Sequence, residues 1–154
     1  MAQGTFTLFE EFALSIANGY HDLDGDTFSV ILVSDSIVGM ETTATPDRSD
    51  FTEVTAGGGY STGGITLTTP LWTESGGVAT FDHAVAQPSI TWTAAAGSPT
   101  NIKTALLVND GAGAIYDCLG FIDMTADGGS TAISLVAGNI TITWGASGIF
   151  TVTV

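Results

Sequence analysis

The sequence predicts an all-β fold: a β-sandwich, jelly-roll-like, carrying one short N-terminal α-helix. Three observations lead there. The tail from Asn139 to Val154 alternates apolar and polar residues around a Gly145-Ala146-Ser147-Gly148 break. Upstream, short apolar runs separated by Gly, Asn and Asp clusters recur at spacings of about 8–12 residues, the rhythm of sandwiches and barrels. Only one stretch, near the N-terminus, spaces its apolar residues as a helix does. With 154 residues the chain is expected to form a single domain with its own core.

Thr5 to Gly19 is the expected helix. Phe6, Phe9, Phe12 (or Ala13) and Ile16 fall at three- and four-residue steps and make one apolar stripe. Thr5 or Thr7 can cap its start, Glu10 and Glu11 suit its dipole, and Asn18-Gly19 is a stop signal. A turn, His21-Asp22-Leu23-Asp24-Gly25-Asp26, then feeds strands from about residue 27 onward. Phe28–Val33 is the first. Ser34–Asp50 is long, polar and without period, and is expected to be a surface loop; Phe51–Val54 can follow as a short strand. Gly57–Gly64 is a glycine-rich turn. Ile65–Trp72 is a strand interrupted by Pro70, which suits an edge or an end. Gly76-Gly77 turns into Val78–Asp82. Ile90–Thr93, Asn101–Val108, Tyr116–Met124 and Ile133–Val136 follow, with turns at Asn109–Gly113 and Asp127–Gly129. In the tail, Ile140, Ile142 and Trp144 share one face and Thr141 and Thr143 the other. The glycines of the break accept hairpin geometry, so Asn139–Val154 reads as a closing β-hairpin with Trp144 in the core.

Composition narrows function. The chain is 44% hydrophobic but only 12% charged, against an average near 25%. Its net charge is −14, and Arg48 and Lys103 are its only lysine or arginine residues. Nucleic-acid binding releases counterions through cationic contacts, so DNA, RNA and anionic membranes are excluded as direct partners. A soluble self-repelling surface, or docking onto a basic partner, fits the charge. Cys118 stands alone, so there is no internal disulfide framework, and its apolar setting reads as a buried small hydrophobe. Glu10 and Glu11 with no basic leader argue against a signal peptide, and no apolar run has the length of a membrane span. Synthesis in the cytoplasm without Sec export is the expectation.

No catalytic or cofactor motif stands out. Asp22, Asp24 and Asp26 form the only candidate metal string, a weak one for calcium. Their alternation can place oxygens around a cation, but an EF-hand needs Gly at the sixth position and Glu at the twelfth, where Thr27 and Val33 stand. Aspartates bonding their own backbone in a tight turn explain the string better. His21 and His83 lack zinc or iron partners at ligand spacing and read as ordinary surface or turn histidines. The Gly57–Gly64 cluster lacks the Gly-Lys-Ser/Thr of a phosphate loop, and no Gly-x-Ser-x-Gly elbow occurs. Among the aromatics, Trp92 and Trp144 are assigned to the core, and Trp72, between Pro70 and Glu74, is the best candidate for an exposed ring.

The blocks Asp-Leu-Asp-Gly-Asp-Thr-Phe-Ser-Val-Ile-Leu-Val (22–33), Gly-Gly-Tyr-Ser-Thr-Gly-Gly-Ile-Thr-Leu (58–67), Ala-Thr-Phe-Asp (79–82), Ile-Thr-Trp-Thr (90–93) and the tail from Ile140 to Val152 together resemble a group of small tailed-phage virion proteins. The likeness extends over most of the chain from Phe6 to Val152. It implies a structural protein without catalytic residues, a cement or decoration protein on the outside of the capsid. Its implied partner is the major capsid protein, and the implied oligomer is a trimer at local three-fold positions; neck and tail positions stay open. Contact elements are expected in the termini and the Ser34–Asp50 loop, with Met1, Phe6, Phe9, Pro46, Arg48 and Trp72 as candidate interface residues. The rivals are a carbohydrate-binding or fibre- and tail-associated module for host attachment, with Trp72 or Tyr60 exposed, and a glycoside hydrolase fragment. No cofactor is expected.

Overall fold

The computed structural model describes residues 4–83, 87–111 and 116–153. The structure is mostly β, built from antiparallel sheets with one short helix. Strands β1 (Phe6–Leu8), β2 (Phe28–Val33), β3 (Ile65–Thr66), β7 (Thr104–Asn109) and β8 (Cys118–Asp123) form a five-stranded sheet in the order β1-β8-β7-β2-β3. Strands β4 (Leu71–Ser75), β5 (Val78–Asp82) and β10 (Phe150–Thr153) form a second sheet, β10-β5-β4. Strands β6 (Ser89–Trp92) and β9 (Ile140–Thr143) pair as a ribbon. The helix α1 spans Phe12–Ala17. None of the described helices is long and apolar enough to cross a membrane.

Every residue of β2, β7 and β8 is buried. Their continuous apolar runs, in place of clean alternation, are those of strands covered on both faces. One face carries Phe28, Val30, Leu32, Ala105 and Leu107, which pack with Phe81, Phe150, Ile90, Trp92 and Ile142 of the other two sheets. The opposite face carries Ile31, Val33, Leu106, Val108 and Phe121, which pack with Phe9, Ile37, Met40 and the partly buried Phe51. A bulge adjusts β8 to this arrangement. Leu107 faces Gly120 while Val108 faces Cys118, so Leu119 is the extra residue. The side-chain parity flips there, which puts Cys118 and Phe121 on one face and Leu119 and Ile122 on the other.

Several expectations are corrected. The N-terminal helix does not run from Thr5 to Gly19, because Phe6–Leu8 is a strand paired with β8. Thr5-Phe6-Thr7-Leu8 alternates with period 2 as well as fitting a helical stripe, and a ladder was available. Gly120 makes it so: a Cβ there would lie 2.5 Å from Phe6 Cζ and 2.6 Å from the Thr7 carbonyl oxygen. The stop signal does operate, with Asn18 as C-cap and Gly19 at φ +72°.

The tail is not a closing hairpin. Its turn exists, with Gly148 N–H donating to the Gly145 carbonyl at 3.1 Å, but β9 pairs with β6 and β10 with β5. The chain crosses between sheets at Gly148. That residue has φ +79° and lies so close to β5 that a Cβ would be 2.7 Å from the Phe81 carbonyl oxygen. Trp92 is in the core, whereas Trp144 is half-buried against it.

Phe51–Val54 gives only a single bridge, Glu53 to Val33, and Ile133–Val136 only the bridge of Ile133 to Ile102. The end of the Asn109–Gly113 turn and Val154 lie outside the described residues.

Candidate functional site

Three polar clusters and one loop hold many of the residues that the sequence singled out. The first cluster is the turn between α1 and β2. Asp22 Oδ1 accepts the N–H groups of Asp24 (3.2 Å) and Gly25 (3.0 Å), and Asp26 Oδ2 accepts that of Asp22 (2.9 Å). Two of the three aspartates are thus engaged in closing their own turn. Among the described residues no group of three or more His, Cys, Asp or Glu is placed to hold a metal ion.

His21, expected at the surface or in a turn, stands at the start of this turn and is buried. Asn109 Nδ2 lies 3.1 Å from His21 Nδ1 and 2.6 Å from Asp26 Oδ2. An amide nitrogen only donates, so His21 Nδ1 accepts and the imidazole carries its proton on Nε2. Burial lowers the His21 pKa, against the opposing pull of the Asp26 carboxylate. The cluster fastens the α1–β2 turn to the end of β7. His83 is likewise buried, 5.7 Å from the Trp144 ring.

The second cluster surrounds Arg48. Asp47 caps a turn of 3₁₀ helix at Arg48–Asp50, with Asp47 Oδ1 accepting from Ser49 N at 2.8 Å and Asp50 Oδ2 accepting from Asp47 N at 3.0 Å. Arg48 donates its backbone N–H to Asp117 Oδ1 at 2.6 Å and pairs through its guanidinium with Asp110. Burial works against the charge on Arg48, but Asp110 and then Asp117 outweigh it and raise its pKa. Burial raises the pKa of Asp117 and lifts that of the Cys118 thiol well above its usual value, so Cys118 stays a thiol at neutral pH. Pro46 is buried, and its carbonyl accepts the Cys118 N–H at 3.1 Å.

These contacts change the reading of Ser34–Asp50. The segment is not a free loop. Ile37 and Met40 cover the outer face of the five-stranded sheet. Thr104 Oγ1 donates to the Asp35 carbonyl at 2.6 Å, and Asp35 Oδ2 accepts Thr52 N at 2.6 Å. Between the two buried anchors the loop holds Val38 out at 83% exposure, the highest of the exposed large apolar residues among those described. Sequence reasoning passed over Val38. Its only signal was an apolar pair, Ile37-Val38, before a glycine in a polar stretch.

Five of the six candidate interface residues separate into two groups. Phe9 (2% exposed), Pro46 and Arg48 belong to the layer over the outer face. Phe6 and Trp72 both pack on Phe150, at ring distances of 5.7 and 6.1 Å, and both are half-buried. Met1 lies outside the described residues.

The third cluster centres on Tyr60, whose ring is 2% exposed and so is not offered to a sugar. Its hydroxyl accepts the Leu32 N–H at 3.1 Å and donates to Glu53 Oε1 at 2.7 Å. The same carboxylate oxygen accepts Gly63 N at 2.7 Å. Burial, then the hydrogen bond to Glu53, holds this phenol far above the usual tyrosine range.

Comparison with protein-family models, with curated proteins and with solved structures gives no match to this chain.

Proposed function

We propose that the protein is a structural component of a tailed-phage particle, a decoration or cement protein that binds the outside of the capsid shell, and that its sheets form a jelly-roll-like sandwich. The observation that carries this reading is the braced loop: capped, hydrogen-bonded and anchored by Ile37 and Met40, it presents the apolar Val38 to solvent. Ordering costs are already met in a loop of this kind, so contacts made through it are not weakened by them. The work asked of such a protein is bridging. As a trimer it would touch several copies of the major capsid protein, and each copy could separate only after the bridge lets go. Weak contacts then act together through their effective concentration. A surface with a net charge of −14 suits both solubility outside a shell and attraction to a basic patch on it. No catalytic group is needed for this role.

The test is co-sedimentation of the purified protein with expanded capsids that lack it, across a salt series. Saturable binding at a fixed ratio to the major capsid protein is expected, weakening as salt screens the charge. Val38→Asp, at an exposed position, is expected to leave the fold intact and lower the affinity on the order of tenfold, about 1.4 kcal/mol. Absence of binding at every salt concentration would remove the capsid role. Full binding by the variant would remove the loop from it.

A further inference from the structure

A second surface, which no residue of the Val38 loop lines, is an apolar groove. The register places Phe150, Phe81 and Trp72 in one cross-strand row of the β10-β5-β4 sheet, and Val152, Ala79 and Glu74 two residues further on. With period-2 alternation both rows point to the same face. Phe150 and Phe81 of the first row are in the core, with Trp72 half-buried against it, and Phe150 stacks on Phe6 and meets Phe12 edge-on at 5.2 Å. The second row runs past the core: Val152 is 36% exposed and Glu74 is exposed.

The overhang and the flank of α1 enclose a groove of about 520 Å³, walled by Leu8, Phe12 and Ile16 on one side and Trp72 and Val152 on the other. Apart from Glu10 and Thr151, every side chain lining it is apolar. Along it runs β10, the outer strand of its sheet, with no strand paired to its far side among the described residues.

The charge around the groove selects its occupant. Glu10 lies in its wall and Glu74 ends the neighbouring row, while neither of the chain's two cations lines it. Arg48 is committed to Asp110, and Lys103 sits at the start of β7, bonded through its backbone to Val33 and Met124. A second copy docked here would bring the same groove carboxylates, Glu10 and Glu74, and no cation at the matching position, so it is a poor occupant. We infer that the groove between α1 and β10 binds an extended segment of a basic partner protein, one that adds to the β10 edge, seats a bulky apolar side chain between Phe12, Trp72 and Val152, and sets flanking lysine or arginine residues against Glu10 and Glu74. Strand addition supplies backbone hydrogen bonds, the pocket supplies selectivity, and the paired charges speed encounter and fix register. The inference goes beyond the capsid role and does not depend on it.

The test uses the intact protein and a ribosome-displayed library of random peptides, with selection on the wild type and counter-selection on Val152→Asp. Enriched peptides are expected to carry a large apolar residue flanked by lysine or arginine. They should bind with affinities that fall as salt rises and shift the backbone amide resonances of Thr151, Val152 and Thr153. Glu10→Gln with Glu74→Gln keeps hydrogen-bond acceptors at both exposed positions. The pair is expected to weaken the selected peptides by about threefold per charge without altering the near-UV spectrum of the fold. The inference is overturned if nothing is enriched, if the enriched peptides are acidic, or if they bind Val152→Asp as tightly as wild type. It is overturned equally if sedimentation equilibrium shows an oligomer that Val152→Asp dissociates, since a second copy would then fill the groove.

Discussion

Removing one oxygen atom, by Tyr60→Phe, tests how the open side of the central sheet is closed. Strand β3 pairs with β2 only at Ser29 and Val30. Beyond it, among the described residues, β2 has only the isolated Val33–Glu53 bridge on that side, yet Leu32 is fully buried. Its carbonyl accepts Val54 N–H at 3.0 Å, and its N–H is met by the Tyr60 hydroxyl at 3.1 Å. The hydroxyl therefore does what a strand would have done. In the phenylalanine variant the ring still fills its place, so little packing is lost. Glu53 keeps its bond from Gly63 N, whereas the Leu32 N–H is left without an acceptor in a dry site. An orphaned buried donor costs about 1–3 kcal/mol. A loss near 2 kcal/mol would lower the melting temperature by roughly 4–8 °C for a chain of this size. Urea unfolding of both proteins gives the global loss. Hydrogen exchange then localises it, since the Leu32 amide should lose protection by more than its neighbours in β2. A loss under about 0.5 kcal/mol, with Leu32 protection unchanged, would refute the reasoning.

Two further outcomes are expected. Gly64 has φ +68°, and a Cβ on it would sit 1.9 Å from the Val30 carbonyl oxygen, while a Cβ on Gly138 meets nothing within 4 Å. Gly64→Ala should therefore cost at least about 2 kcal/mol, and Gly138→Ala should stay within about 0.5 kcal/mol of wild type in the same urea assay. For His21 the sign follows from its buried, neutral state. Its folded pKa lies below the ordinary value of about 6.5, so in that interval the unfolded chain binds more protons. Stability from this group is complete above the ordinary value and is lost as pH falls from there toward the folded pKa. The urea midpoint of wild type should thus drop between neutral and mildly acidic pH relative to that of His21→Gln, and parallel curves would show that His21 does not titrate on unfolding.

The three longest buried strands were legible because their residues carry the signal themselves. Phe28–Val33, Thr104–Asn109 and Cys118–Asp123 are each covered on both faces, and apolar residues dominate there, with Ser29, Thr104, Asn109 and Asp123 as the buried polar exceptions. The Gly76-Gly77 turn and the Asn18-Gly19 stop were legible for a local reason, positive φ at Gly19, Gly76 and Gly77. Partners were not. Ile140–Thr143 and Phe150–Thr153 read as one hairpin because alternation records a face and says nothing about which strand lies alongside. Thr5–Leu8 fitted two periods, and Gly120, more than a hundred positions away, decided between them.

The candidate sites were still less visible. A polar stretch from Ser34 to Asp50 became a cover for the sheet through two apolar residues, Ile37 and Met40, and Tyr60 became the substitute for a strand through one hydroxyl. The groove beside Trp72 exists only because β10 leaves β9 and joins β5. Local sequence determined most of the strands and turns, Phe6–Leu8 excepted, since backbone preference and burial period act over a few residues. Tertiary structure alone decided the pairing, the burial of His21, and the surfaces offered to a partner, because those depend on groups brought together from opposite ends of the chain.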